Sequence, residues 1–425
     1  MKKLIAISVV FALVAGAVFA VDLTGTVFGH VNVLEGNTGK NTAGDSYAAT
    51  AGGGMDRFRV DGSGEAGDGE FGGYVRMQDD SSKGIVAHSS YAWWKPVDQF
   101  KLIIGYFDDG FWGKEGVTGW GFNQMPNDSG VAVNYGIWCG EGWGSTIYGG
   151  KDGQKSGILH NRYTFFEGFT YKGLMMEINP ADMIGINIGI PTISQPRTVK
   201  QGEKNGTAAD IYKASVVQFD IKMDFGNIAI TYDGANRAGI SEGDAGAIFL
   251  YYGGSFGDIS IDFGFSYHMV AENKDNAKWG TNPKSLPLGV GLGVKYATDS
   301  FGVKFRTTAV LGGDKERGTD GAGIPTDSTV INTSLLPYFS LGDNLTAFVG
   351  FGLNMIMQSS DYKDAKVYNG GENVTGWYFN PYLRVGAEWG PTFYFGVKAW
   401  SDGLKQADDS KLTNWEVPIS LMVSF

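Results

Sequence analysis

The 425-residue chain carries 45 acidic against 34 basic residues, a formal net charge of -11, and combines 14% aromatic residues with 66 glycines and a single cysteine. That balance disfavours a nucleic-acid partner, which would need a basic face to neutralise phosphates. The lone Cys139 excludes an internal disulfide, so stability has to come from backbone pairing and packing.

Met1-Lys2-Lys3 precedes an apolar run over 4–19, and Val18 and Ala20 are the small residues a signal peptidase reads. The expectation is a secretory signal peptide over 1–20, cleaved after Ala20. The alternative is a membrane helix, but the run is short of the ~20 apolar residues a span needs. No later stretch approaches that length without Gly, Asp, Asn or Lys. Length alone would suggest two or three domains. With no Pro/Ser-rich linker and an unchanging period, residues 21–425 are read as one domain.

Strands are predicted at 22–34, 55–64, 70–78, 85–95, 99–106, 164–178, 183–191, 211–225, 227–236, 244–256, 258–270, 286–298, 301–312, 328–341, 345–358, 375–389, 392–402 and 412–425. The signal is strict two-residue alternation. Near the end, Trp415, Val417, Ile419, Leu421, Val423 and Phe425 alternate with Asn414, Glu416, Ser420 and Ser424. Pro418 interrupts that strand and predicts a bulge or a position that needs no ladder bond. Tight turns are expected at Gly257-Asp258, Thr298-Asp299-Ser300, Gly342-Asp343-Asn344, Gly390-Pro391 and near Gly226-Asn227. The intervening connections, at 272–287, 313–327, 359–375 and 404–411, are longer and more charged.

Short turns at one end, long loops at the other and aromatic residues at the strand ends predict an all-β fold: a transmembrane antiparallel up-and-down β-barrel with short periplasmic turns and long extracellular loops. The alternative is a soluble β-sandwich. About eighteen strands are expected, with sixteen to twenty open; a further hairpin over 130–138 and 143–150 would give about twenty.

The terminal Phe425 resembles the carboxy-terminal signature of bacterial outer-membrane proteins, which implies the barrel assembly machinery as a partner beside outer-membrane lipid. Pairing that begins directly after the signal leaves no room for an amino-terminal plug. The expectation is a passive outer-membrane pore for ions and small hydrophilic solutes, with no cofactor, no metal and no catalysis. A surface antigen or adhesin, anchored by the barrel and binding host or matrix molecules through its loops, is the rival reading.

Selectivity is sought where charge lines a narrow passage. The connection over 107–163 carries Asp108, Asp109, Glu115, Phe111, Trp112 and the run Gly119-Trp120-Gly121-Phe122. By position it resembles the loop that general diffusion porins fold into their lumen. Its aromatics would equally cap a neighbouring subunit, and a homotrimer stands among the partners this resemblance implies. Parity puts Arg57, Arg59 and Arg76 on the face opposite Phe58, Val60, Val75 and Met77. They are either a basic wall facing the acidic loop, as in general porins, or ordinary solvated lumen residues. The same parity nominates Asp220, Lys222, Asp262, Lys304, Arg306, Arg384 and Glu388, read as mixed rows rather than an aromatic sugar-binding track, and the acidic excess predicts a weak cation preference.

The segment Tyr91-Ala92-Trp93-Trp94-Lys95-Pro96-Val97-Asp98-Gln99-Phe100-Lys101-Leu102, with Gly119-Trp120-Gly121-Phe122, is similar to porin-like outer-membrane proteins of spirochaetes. Gly62-Ser63-Gly64-Glu65-Ala66-Gly67 matches a dinucleotide fingerprint, but no helix follows to hold a phosphate. His30, His88, His160 and His268 lack metal-ligand spacing.

Overall fold

A computed structural model describes residues 20–41, 44–80, 84–106, 149–150, 154–155, 172–191, 215–233, 247–268, 288–311, 329–358, 369–386, 390–401, 403 and 413–425. The expected signal peptide, the loop acids Asp108, Asp109 and Glu115, and Glu388 all lie outside the described residues.

The strands are β1 Ala20–Asn41, β2 Gly44–Ala66, β3 Phe71–Asp80, β4 Val86–Val97 and β5 Phe100–Tyr106. After the long connection come β6 Lys172–Ala181, β7 Ile184–Pro191, β8 Val216–Met223, β9 Gly226–Asp233, β10 Ala247–Phe256, β11 Ile259–His268 and β12 Leu288–Ala297. The series ends with β13 Phe301–Leu311, β14 Thr329–Gly342, β15 Leu345–Met357, β16 Val374–Val385, β17 and β18 Asn414–Ser424. The strand β17 is interrupted at Val397 into Gly390–Gly396 and Lys398–Ser401, both halves pairing with β16 and with β18.

Among the described residues neighbouring strands pair antiparallel in chain order, and β1 closes the series by pairing with both β2 and β18. Counting the two halves of β17 once, the nineteen segments of the sheet make eighteen strands in a closed ring among the described residues. A two-residue pairing of Gly149–Gly150 with Gln154–Lys155 stands apart from that ring.

Three expectations are corrected. Residues 35–54 were expected as a connection, but the β1–β2 ladder continues through them to the pair Asn41 and Gly44. The glycines, alanines and threonines there look like loop by composition, yet most of them gain a backbone partner once the neighbouring strand is in register. The turn expected near Gly226-Asn227 falls at Asp224-Phe225, and Gly390-Pro391, expected as a turn, is instead the start of β17, paired with Ser424 and Val423 of β18. Beside Pro418, the register of β1 slips between Asn32 and Leu34, so the bulge falls on the partner strand.

The two faces of the ring differ sharply. Phe219, Ile221, Phe263, Phe351, Phe379, Leu383, Phe395 and Leu421 are all exposed large apolar residues on one parity. The opposite parity carries Arg59, Asp61, Arg76, Glu177, Gln218, Asp220, Asp262 and Lys304. An apolar belt of this extent on an outer surface belongs in lipid, not water. At the short-turn end the outer aromatics touch across strands, Tyr296 with Phe301 at 6.4 Å and Phe301 with Phe339 at 5.1 Å between centroids. Such rings suit the polar–apolar boundary of a bilayer. No helix among the described residues is long and apolar enough to cross a membrane.

Candidate functional site

The inner wall divides into three stretches of different chemistry, each built by register rather than by sequence proximity.

On β2–β5, Asp61 lies opposite Arg76 in the ladder and Ser63 opposite Tyr74. Arg76 Nε and Tyr74 Oη both donate to Asp61 Oδ1, each at 2.5 Å, and the Arg76 side chain is only 8% exposed. Arg59 Nε donates to Gln78 Oε1 at 2.6 Å. Tyr74 stacks on Tyr91 at 5.0 Å, and Lys101 Nζ sits 5.1 Å above the Trp93 ring. The Trp93 ring itself crosses Gly72, where a Cβ would collide with it. The sequence nominated Arg59 and Arg76 for this wall but not Asp61, Tyr74 or Gln78. Arg76 therefore faces a carboxylate on the wall, while Arg59 is held by a neutral amide. The side chain of Arg57, opposite Phe28 in β1, lies outside the described residues.

From β6 to β11 the wall is mixed. Glu177 faces Lys101 and Asn187 across two ladders. Asp220 accepts from Asn187 Nδ2 at 2.7 Å and Gln218 Nε2 at 2.9 Å, and Thr231 Oγ1 donates to Gln218 at 3.0 Å. Asp262 accepts from Tyr251 Oη at 2.6 Å. Lys222 is exposed on the Asp220 parity, two residues before the Asp224-Phe225 turn.

From β12 to β17 the inward strand positions hold no carboxylate among the described residues. They carry Lys295, Lys304 and Arg384 together with a stack of rings that sequence reading missed. Tyr338 stacks on Phe348 at 5.7 Å, and Phe348 on Tyr382 at 4.6 Å with planes 3° apart. Tyr382 meets Tyr394 at 6.3 Å. These rings are one per strand on β14, β15, β16 and β17, so no two are near in sequence. The only sequence signal was a Tyr or Phe on the inner parity of four successive strands. Arg384 lies 5.6 Å from the Phe348 ring and donates from Nη2 to Thr346 Oγ1 at 3.0 Å. Parity also assigns Arg306 to this wall; its side chain lies outside the described residues.

The mouth at the short-turn end has its own pattern. Each short turn described carries an exposed aspartate: Asp68, Asp98, Asp182, Asp224, Asp258, Asp299 and Asp343. Gly67 and Gly257 take φ of 62° and 60° to make two of these reversals, a conformation a side chain would resist. Lys95 Nζ donates to Asp98 at 2.7 Å and holds that carboxyl below the usual carboxylate range. A ring of carboxylates around one opening raises the local cation concentration. No group of three or more metal-ligating side chains occurs among the described residues.

No protein-family model matches the chain, and no curated protein matches it. Among solved structures it is similar to the outer membrane channel DcaP of Acinetobacter baumannii, at 12% identity over 96% of this chain and 98% of that one, with a TM-score of 0.44. The trimer form of the outer membrane protein OmpT of Vibrio cholerae matches at 11% identity over 96% and 100%, with a TM-score of 0.47. Pseudomonas aeruginosa OpdQ matches at 10% identity over 95% and 98%, with a TM-score of 0.48. At this distance the likeness assigns neither a family nor an activity.

Proposed function

We propose that this chain is a passive outer-membrane channel for ions and small hydrophilic solutes, with a weak preference for cations. The observation that carries the reading is the closed ring of eighteen antiparallel strands with an apolar outer face and a charged inner one. A ring of about this size encloses an aqueous passage rather than a packed core. The turn aspartates and the net charge of -11 both favour cations at the mouth.

Stepwise conductance after reconstitution of the purified protein into planar bilayers tests the reading directly. A silent membrane combined with loops that bind host or matrix molecules would favour the adhesin instead.

Within this proposal the loop over 107–163 supplies an acidic wall through Asp108, Asp109 and Glu115, facing Arg57, Arg59 and Arg76. Neutralising the three acids together is expected to move the reversal potential in a salt gradient toward anions. Replacing the arginines should move it the other way, least at Arg76, whose charge is already met by Asp61. Both shifts should shrink between 0.1 M and 1 M salt, as the Debye length falls from ~10 Å to ~3 Å. Unchanged selectivity in both sets of variants would remove the loop and the arginines from the conducting path.

A further inference from the structure

The run Tyr91-Ala92-Trp93-Trp94 of β4 sends its two tryptophans to opposite faces of the sheet. Trp94 pairs with Phe71 and is 51% exposed on the outer face, whereas Trp93 pairs with Gly72 on the inward parity. On that inner face Tyr74, Tyr91 and Trp93 form one continuous run of half-buried rings. Tyr74 stacks on Tyr91 at 5.0 Å, and Tyr91 meets Trp93 at 6.3 Å with planes 48° apart, which opens a wedge between them. The Trp93 ring is laid against the wall over Gly72. Gly105 and Gly173 continue the Tyr91 rung across β5 and β6 and add no side chain beside it.

Polar groups border the rings on both sides. Asp61 accepts from Arg76 and Tyr74 on the same oxygen, Oδ1, and its side chain is 21% exposed, so Oδ2 remains an acceptor for a solute. Glu65 is exposed on the Gly72–Trp93 rung. At the other edge Lys101 and Glu177 lie opposite each other, with Lys101 Nζ 5.1 Å from the Trp93 ring.

This border selects the ligand. The carboxylates turn away an anion. A cation would compete for the ring faces with the chain's own cations, since Arg76 stands 5.7 Å from the Tyr74 ring just as Lys101 stands by Trp93. A neutral solute with an apolar face and a rim of hydroxyls suits both the rings and their surroundings.

We infer that Tyr91 and Trp93, with Asp61, Lys101 and Glu177 around them, form a binding site on the channel wall for neutral pyranose sugars. The C–H face of the sugar lies on the aromatic rings, and its hydroxyls donate to the carboxylates. Lys101, on a flexible stem, exchanges its contact with the Trp93 ring for one with a sugar oxygen. The inference deepens the channel reading and rests on it for the sugar's access to the wall.

The test is a calorimetric titration of the purified full-length protein in a polyoxyethylene detergent, which carries no sugar, with maltose and cellobiose as probes. Glycerol, which has hydroxyls but no ring face, and choline, a cation that aromatic rings hold, are the controls. Saturable binding of either disaccharide and of neither control is expected. Trp93→Ala should weaken that binding about tenfold, and Trp93→Phe, which keeps a ring on the wall, should stay within about threefold of the parent. Lys101→Met should cost about fivefold, the loss of one hydrogen bond. Trp94→Ala, one residue along on the outer face, should leave binding unchanged.

Lys101→Met leaves all three rings in place and so reads the site even where Trp93→Ala fails to fold. The inference is overturned if neither disaccharide binds, if glycerol or choline binds as tightly as the disaccharides, or if Lys101→Met binds like the parent. It is equally overturned if Trp93→Ala folds and binds like the parent, or if Trp94→Ala weakens binding as much as Trp93→Ala does. Because the titration needs no conduction, a protein that binds sugar but passes no current would retain the site and lose the channel reading. One that conducts without binding would do the reverse.

Discussion

Placing arginine at Phe351 is expected to destabilise the barrel by about 2–4 kcal/mol, the cost of a cation at the middle of a bilayer-facing strand. Phe351 is the central residue of β15, 42% exposed on the outer face, and its ring lies 5.2 Å from Phe379 on β16. The guanidinium would have to be dehydrated or pull water and headgroups inward. Asn354→Arg, on the opposite parity of the same strand, should cost far less because the inner face already holds charge. Reversible urea unfolding in lipid vesicles gives both numbers. Equal costs on the two faces would mean that the apolar belt does not face lipid.

Asp61→Asn is expected to be the most damaging change on the inner wall, at about 1–3 kcal/mol. The carboxylate accepts from both Arg76 and Tyr74, and the Arg76 side chain is nearly enclosed. Removing its charge leaves a guanidinium held away from water with a weaker acceptor, which costs more than the pair itself contributes. Tyr74→Phe should cost less, about 0.5–1.5 kcal/mol, since it removes one hydrogen bond and leaves the charge pair intact. The double variant Asp61→Asn with Arg76→Gln should recover part of the loss. Strict additivity of the two single changes in the same unfolding measurement would show that the residues do not couple.

The amino-acid sequence by itself determined the strand-and-turn pattern, the approximate strand number and which side of most strands is apolar. The reason is local: a sheet separating lipid from water repeats every two residues, so Phe219 and Ile221, or Leu421 and Val423, declare their face without reference to any other strand. The turns were legible for the same reason, since Gly257-Asp258 and Thr298-Asp299-Ser300 need particular backbone chemistry at fixed positions. What a composition-based reading lost was the outer half of the β1–β2 hairpin, because residues 35–54 gain their strand character from the neighbouring ladder. The inner wall was only half legible. Parity named Arg76 and Lys304, but tertiary register decided that Arg76 meets Asp61, that Lys304 faces Lys295, and that Tyr338, Phe348, Tyr382 and Tyr394 stack across four strands. A side chain's face follows from its own strand, whereas its partner depends on where the next strand stops, turns and bulges, and a slip of one residue reverses the result.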